Sequence, residues 1–577
     1  MYIKIILLFT LVAFNFASPN VLVKSFVNPN QTIESDGLII DFADDFSTSD
    51  LDKFEALHGI DGDIVNGLES EKVVRFPKIK KVLHWVKKLK SLAGIEGVEP
   101  NYILSAYNVK KSYPQPNPKS YSDPFYKYQW HMEMIGQNKA FQYTKGQGAI
   151  VAVIDTGVAY ENYKNYKKAR DLNQTKFIKP YNFINNTIHA NDDQGHGTHV
   201  AGTIAQSTNN GLGVVGVAPE ATIMPLKVLD GSGRGSITAI ARAVKYAADN
   251  GAHVINMSLG GPMPSGVLRK ACQYAKSKGV LLVCAAGNSG GSIGYPAKYP
   301  ECMAVSAVQI DEQVTFYSSR GKDLEIAAPG GNIREDMNND GYPDGVMQNT
   351  IHADDPSKDD YMLFMGTSMA APHVAGVAAL LVSKGITDEP KLRSLLKQTV
   401  IPKKDAKLYG AGIVQADKAL EAAVFNDGWT RFAIATGASA LFVGTAAFSF
   451  PYLFALILCS SGFFFFDYLT SMSLISSFAV LPLSEWDQFL FGLGDSSVFF
   501  RSSIVISLAC GLLYQVTWLR SLLKGACFGL GSYLIYSYIA PSANLAYMPD
   551  AFGIESMWYL LNGLVCFGFG IILQKAK

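Results

Sequence analysis

Gly366-Thr367-Ser368-Met369-Ala370-Ala371-Pro372-His373-Val374-Ala375-Gly376 sets a serine at the mouth of a helix. Gly366 permits a tight turn, and Pro372 suits an early helical position, where its missing N–H is not needed. Ser368 then lies near a helix N-terminus, where free N–H groups and the helix dipole favour developing negative charge. Upstream, Val151-Ala152-Val153-Ile154-Asp155-Thr156-Gly157-Val158 is a short apolar run ending in a carboxylate and a glycine. Such a run reads as a buried parallel strand, with Asp155 at the C-terminal end, where open α/β sheets gather their sites. Asp193-Gln194-Gly195-His196-Gly197-Thr198-His199-Val200-Ala201-Gly202 sets His196 between two glycines at a helix start. An acid, a histidine and a serine on glycine-flanked corners are the parts of nucleophilic acyl transfer. Serine is a weak nucleophile until a base takes its proton, and a buried carboxylate fixes the base's tautomer and stabilises its cation.

In the order Asp, His, Ser, these motifs resemble those of subtilases, the subtilisin-like serine proteases. The resemblance runs from about Asp123 to Val424. It implies an α/β fold, a doubly wound parallel sheet with helices on both faces. By position it makes Asp155 the orienting acid, His196 the general base and Ser368 the nucleophile. Leu281-Leu282-Val283-Cys284-Ala285-Ala286-Gly287-Asn288-Ser289-Gly290 looks like the family's oxyanion-hole strand, with Asn288 donating from its amide beside the Ser368 N–H. His199 makes an i, i+3 pair with His196, but no third ligand completes a metal set, so it reads as a packing residue. By the same resemblance Gly231, Ser232 and Gly233, with Ser258, Leu259 and Gly260, flank an extended peptide and pair with its backbone. Gly294 matches the floor of the primary specificity pocket and leaves room for a large apolar side chain.

Calcium is the expected structural ion. Asp336, Asn338, Asp340 and Asp344 space oxygen ligands around Gly341 as a calcium loop does, although Met347 stands where a late glutamate is usual. A metal-free surface turn is the alternative. Thr208 to Val214 resembles the family's calcium loop, with Asn210 giving a side-chain oxygen and Thr208, Leu212 and Val214 giving carbonyls. Asp123 and Asp171 are its acidic partners, and the Asp171 match requires an insertion around 163–169.

The chain has 577 residues and a formal net charge of +1, so several domains are expected and nothing argues for nucleic acid. The basic cluster from Lys78 to Lys90 carries Val82, Leu83, Trp85, Val86 and Leu89 at helical spacing, which makes its lysines a solvated face. Residues 1–18 read as a signal peptide, Lys4 preceding the apolar run Ile5 to Phe16; Asn15 weakens the cleavage consensus, and a retained anchor is the alternative. Residues 19–107 read as a small α+β domain. Strands are expected at 38–42, 73–76 and 98–103, and helices at 51–58 and 80–92. Its ending resembles the subtilase propeptide that folds the enzyme and plugs its cleft; a permanent accessory domain is the runner-up. Residues 108–122, rich in Pro, Ser, Asn and Lys, read as an exposed linker and the expected region of self-cleavage. Residues 123–428 are the catalytic unit.

From 429 to 577 the chain is strongly apolar and reads as an all-α transmembrane region. About five spans are expected, near 432–450, 461–483, 502–518, 526–543 and 557–573. Arg520 with Lys524, and Lys575 with Lys577, mark cytoplasmic positions, which leaves the catalytic unit on the extracytoplasmic side of a multi-pass membrane protein. All 9 histidines lie at or before His373, which excludes a serine–histidine or histidine-metal site among the spans. Asp467 alone is an acid at depth, so a plain anchor is favoured. Cys272 and Cys302 are a conceivable disulfide pair, whereas Cys459, Cys510, Cys527 and Cys566 read as packing residues. The whole reads as an exported, membrane-anchored serine endopeptidase acting on proteins or peptides. It is made as a zymogen, with its own propeptide as inhibitor and the lipid bilayer as support. Two alternatives stay open: a peptide-binding pseudoprotease, and a membrane scaffold or transporter whose protease serves only its own maturation.

Overall fold

The computed structural model of the chain describes residues 35–77, 79, 81–90, 92, 94–106, 109–112, 122–442, 449–460, 502–513, 515–539 and 554–575. The expected signal peptide and the expected span at 461–483 lie outside them.

The first unit contains β1 (Ser35–Phe42), α1 (Thr48–His58), β2 (Asp63–Ile64), β3 (Val73–Phe76), α2 (Val82–Leu89) and β4 (Ile95–Ala106). The strands and helices expected from the sequence are all present, each within a few residues. β1 lies between β3 and β4, antiparallel to both. The period of two in β1 divides its side chains between two cores. Leu38, Ile40 and Phe42 pack under α1 and α2 with Leu51 and Leu89. Ile39 points the other way and joins Val73 and Leu104 in the core of the larger unit. β4 also pairs antiparallel with two strands of that larger unit, so one sheet crosses both.

β5 (Val109–Ser112) follows, then the short helices α3 (Trp130–Met134) and α4 (Gln137–Ala140). The strands of the larger unit are β6 (Ile150–Asp155), β7 (Lys176–Phe177), β8 (Tyr181–Asn182), β9 (Thr222–Lys227), β10 (Arg234–Ser236), β11 (Val254–Met257), β12 (Leu259–Gly260), β13 (Leu281–Ala285), β14 (Cys302–Val308), β15 (Ile326–Pro329), β16 (Val346–Ile351), β17 (Asp359–Met365), β18 (Ile401–Pro402) and β19 (Gly412–Ile413). Its helices are α5 (His196–Ala205), α6 (Ile237–Asp249), α7 (Gly266–Ser277), α8 (Thr367–Ser383), α9 (Glu389–Gln398), α10 (Ala406–Tyr409) and α11 (Ala416–Phe442).

The central sheet runs β18-β19-β15-β14-β13-β11-β6-β9-β7, with β8 also on β9. Its pairings are parallel apart from β18 with β19. β6 shows why. Val151 and Val153 enter the core beneath α5 and α8, while Ala152 and Ile154 enter the core beneath α6 and α7. A strand buried on both faces needs an unbroken apolar run, which is what the sequence supplies. Cys272, Cys284 and Cys302 lie buried in the second of these cores as free thiols.

Pro372 falls inside α8 rather than in its first turn. Its missing N–H leaves the Ser368 carbonyl without a helical donor, and the Ser258 hydroxyl donates to that carbonyl instead, at 2.8 Å. Of the expected linker at 108–122, residues 108 and 113–121 lie outside the described residues. Val109–Ser112 forms a strand against β17, which is itself paired on its other side with β16. The cause is the edge of that hairpin, which offers a row of unpaired main-chain groups.

α11 leaves the catalytic core, where Ala416 and Leu420 are buried, and runs without interruption to Phe442. Apolar helices α12 (Phe450–Ser460), α13 (Ile504–Leu513), α14 (Arg520–Ile539) and α15 (Ile554–Lys575) follow. α14 meets its neighbours through glycines. A Cβ on Gly525 or Gly529 would collide with the α12 backbone at Tyr452 or Leu456, and Gly531 faces Gly563 of α15. Among the described residues, one stretch, Met557–Gln574, is long and apolar enough to cross a membrane.

Candidate active site

Asp155 ends β6, and His196 opens α5 behind Gly195, which takes the left-handed backbone (φ 94°) that starts the helix. The two side chains are fully buried and joined by a bond of 2.7 Å between His196 Nδ1 and Asp155 Oδ1. A carboxylate only accepts, so Nδ1 carries the proton and a neutral ring keeps its lone pair on Nε2. That Nε2 is buried without a hydrogen-bond partner among the described residues. Asp155 Oδ1 also accepts from the Thr156 N–H at 2.7 Å.

Ser368 is the second residue of α8, which packs against α5. Its hydroxyl donates to the Ser258 carbonyl at 2.9 Å. Asn256 Nδ2 donates to Ser258 Oγ at 3.0 Å, so the end of β11 is bolted to the start of α8. Asn288 lies just beyond β13. Its Oδ1 accepts from the Thr367 N–H at 2.9 Å and from Thr367 Oγ1 at 2.8 Å. Both bonds hold the Asn288 side chain to the residue before Ser368.

Two residues that sequence reasoning passed over hold this arrangement. Asp192 is buried. Its Oδ1 accepts from Thr156 Oγ1 and the Gln194 and Gly195 N–H groups, and its Oδ2 accepts from the Thr198 N–H and hydroxyl. Burial pushes its carboxyl up, but the Lys227 charge and these donors outweigh it and leave it below its ordinary range. Lys227 Nζ, also buried, donates to the Thr156 and Leu229 carbonyls and to Asp193 Oδ1 at 2.7 Å. The signal for Asp192 was present: an aspartate two and three residues before Gln194 and Gly195 is the spacing of a side-chain turn. Nothing local marks Lys227.

β4 lies in the groove beside these groups, antiparallel to β10 on one side and β12 on the other. Ser105 faces both Arg234 and Gly260, Leu104 faces Gly235, and Ala106 faces Leu259. The Ala106 N–H donates to the Gly233 carbonyl at 3.0 Å. Gly233, Leu259 and Gly260 thus contact an extended strand, while Ser258 adjoins Ser368. In the turn before Gly233, both the Ser232 N–H and hydroxyl donate to Asp230, and a Cβ on Gly231 would approach Asp193. The Gly294 N–H donates to the Ala286 carbonyl at 3.0 Å, which keeps Gly294 beside the oxyanion strand. Two carboxylate and amide groups of β4 cap helices of the larger unit. Glu99 accepts from the Ser265 hydroxyl and the Gly266 N–H at the start of α7. Asn101 Oδ1 accepts from the Thr238 N–H at the start of α6.

The expected calcium ligands form two groups. Asp123 accepts from the Asn209 and Asn210 N–H groups, and Asp171 from Asn210 Nδ2 and the Val214 N–H. Burial, with the nearby Asp123 charge, pushes the Asp171 carboxyl up to about 7. Asn210 gives its Nδ2 to Asp171 and its Oδ1 to the Leu212 N–H, and no cluster of metal-ligating side chains is assembled among the described residues; the two buried acids are the groups whose desolvation a hard divalent cation would offset. In the other group, Asp336 accepts from the Asp340 and Gly341 N–H groups, Asn338 and Asp340 are bonded to each other, and Asp344 Oδ2 accepts from the Met337 N–H. Asp344 Oδ1 is buried without a partner among the described residues. Burial and the Asp336, Asp340 and Glu335 charges hold its carboxyl above the usual range.

A parallel α/β sheet with these groups gathered beyond the C-terminal ends of its strands is the architecture of a serine endopeptidase. Residues 146–422 match the subtilase family. M-protease of Shouchella clausii (strain KSM-K16) is 41% identical over 276 residues, 48% of this chain and 64% of that protein. Subtilisin Savinase of Lederbergia lenta is 41% identical over 276 residues, covering 91% of its length. The thermostable alkaline protease of Halalkalibacterium halodurans is 35% identical over 365 residues, 63% of this chain and 86% of that protein. Among solved structures, fervidolysin of Fervidobacterium pennivorans, a keratinolytic enzyme related to subtilisin, superposes with a TM-score of 0.55 at 28% identity, covering 67% of this chain and 61% of that one. The chain belongs to the subtilase family, and its matched region is a subtilisin-like serine endopeptidase domain.

Proposed function

We propose that the protein is a membrane-anchored, exported serine endopeptidase made as a zymogen. The observation that carries this is the buried Asp155–His196 bond of 2.7 Å, with the His196 lone pair left on Nε2 and α5 packed on α8, whose second residue is Ser368. Ser368 Oγ attacks the scissile carbonyl while His196 Nε2 takes its proton; Asp155 holds the tautomer and stabilises the cation. Asn288 Nδ2 and the Ser368 N–H bind the oxyanion. His196 then protonates the leaving amine, and water releases the acyl group by the same steps in reverse.

β4 supports the zymogen. It fills the groove in the direction of a substrate strand, and Glu99 and Asn101 anchor it on α7 and α6. Self-cleavage within residues 108–122 would free it. Asp123, Asp171 and Asn210, and separately Asp336, Asn338, Asp340 and Asp344, would hold structural calcium, which supplies charge neutralisation and no step of the reaction. The apolar helices after 442, with Met557–Gln574 long enough to span, support anchoring in a bilayer. The test is casein digestion by the full chain in detergent, with Ser368→Ala as control. Digestion by wild type alone is expected; equal digestion by both, or by neither, refutes the reading. In a protease-free translation system the wild type yields a shorter product and Ser368→Ala does not. Equal cutting of both refutes self-processing.

A further inference from the structure

A cavity of about 420 Å3 lies between the first unit and the start of α6, and neither His196 nor Ser368 lines it. Its size is that of a small-molecule site. Asp36, Arg75 and Ile103 face it from the first unit, and Phe183, Arg234 and Arg242 from the larger one. The acids of the wall are already engaged. Asp36 pairs with Arg75 at 2.5 Å, and Asp230 accepts from the Ser232 N–H and hydroxyl and from the Arg234 N–H. No carboxylate is within ion-pair range of Arg242 among the described residues; its Nη2 donates to the Asn186 amide oxygen at 3.0 Å. Its guanidinium lies over the Phe183 ring, 5.3 Å from the centroid. A guanidinium has five donors. Among the described residues Arg75 and Arg242 each use one, and the Nε of each is buried without an acceptor. Burial pushes the Arg242 guanidinium below its ordinary range. A partly buried cation without a counter-charge is costly, and an oxyanion in the cavity offsets that cost through charge-assisted bonds. α6 begins at Ile237 behind Ser236, which also lines the cavity, so the positive end of its dipole adds to the same field.

We propose that this cavity binds a small organic oxyanion, a phosphate or carboxylate head held by Arg75 and Arg242 on an apolar body that packs on Phe183 and Ile103. The walls come from both units, so the molecule binds them assembled and not apart. By mass action it then stabilises the assembly. A cut first unit leaves the groove more slowly while the site is filled, which makes the ligand a brake on activation. That consequence rests on the zymogen reading above; the binding itself does not.

The binding test uses the full-length Ser368→Ala chain, which stays uncut, in neutral detergent micelles. The probes for calorimetric titration are phenyl phosphate and benzoate, with phenol and inorganic phosphate each carrying half of the chemistry. Saturable binding of phenyl phosphate or benzoate is expected, and the tighter of the two names the head group. Phenol and inorganic phosphate should bind about tenfold more weakly or less. Added to this chain, Arg242→Gln should weaken binding about tenfold or more, and Arg75→Gln, on the other unit, should do the same. Lys53→Gln, an exposed lysine of α1, should not. A melting curve shows that each variant is folded. No saturable binding below about 10 mM, equal binding of either half-probe, or folded Arg242→Gln and Arg75→Gln chains that bind as before overturn the proposal. In the self-processing chain, phenyl phosphate or benzoate, whichever binds more tightly, should lengthen the delay before anilide hydrolysis begins about threefold or more at ten times its Kd. Added after the delay, it should leave the rate unchanged. An unaltered delay with binding intact overturns the brake. A chain that binds the probe and never hydrolyses the anilide overturns the peptidase reading and leaves the site standing.

Discussion

Gly197 is where the helix that His196 opens comes closest to the turn after Asp155. A Cβ built on Gly197 would lie 2.1 Å from the Gly157 carbonyl oxygen and 3.1 Å from both Asp155 Cβ and Thr156 Oγ1. Real Cβ atoms do not approach closer than 3.0 Å, so Gly197→Ala must part α5 from the Asp155 turn by about 0.9 Å (3.0 minus 2.1). Applied to the 2.7 Å bond between His196 and Asp155, that opening gives about 3.6 Å, beyond hydrogen-bond range. A displacement of about 1 Å in a reacting constellation lowers the rate roughly 100-fold, or about 2.7 kcal/mol. Overpacking also removes about 1–3 kcal/mol of stability. The assay is kcat/KM on a quenched peptide, with the melting temperature measured alongside. Gly437→Ala, in α11, is the control: a Cβ there would meet nothing within 4 Å. It should keep activity within about threefold, since no change of catalytic geometry follows. A folded Gly197→Ala protein with activity within threefold of wild type would refute the reasoning.

Three further outcomes are expected. Asn288→Ala should lower kcat about 10²–10³-fold with little change in KM, the magnitude known for a subtilisin relative; a loss confined to KM would move Asn288 out of the oxyanion role. Acid should unfold the protein early, because burial pushes His373 down to about 4 and holds His131, bonded to it at 2.8 Å, well below its usual range. The His373 Nδ1–H donates to the Met369 carbonyl, which favours the charged ring, but burial outweighs it and keeps the folded-state ring neutral at pH 7. The unfolded chain binds the proton that the folded one excludes. About 3 kcal/mol of stability, complete above pH 6.5, is therefore lost from His373 as pH falls toward 4; a flat melting temperature between pH 7 and 4.5 would contradict this. Chelator should lower the melting temperature, and Asp340→Ala should reduce that sensitivity; an unchanged melt speaks against both calcium groups.

The corners that carry Asp155, His196, Asn288 and Ser368 were legible because each is glycine-flanked and a corner is built by adjacent residues. The apolar run of β6 was legible for a similar reason: a strand buried on both faces leaves no room for polar alternation. Gly233, Leu259 and Gly260 could be picked out only as turns and strand ends. That they clasp β4 depends on three segments far apart in the chain meeting in register. The strand at 109–112 was hidden for the same reason. Val109–Ser112 has the composition of an exposed segment, and it became a strand because the edge of β17 was there to pair with it. Asp192 and Lys227 support the site through bonds to a turn 36 and 71 residues away. The Pro372 gap in α8 is met by a hydroxyl 110 residues upstream. Local sequence determined which side chains could do the chemistry. Tertiary structure decided which buried groups hold them and which strand edges remain to be paired, because a hydrogen bond or a β-ladder is indifferent to how far apart its partners lie along the chain.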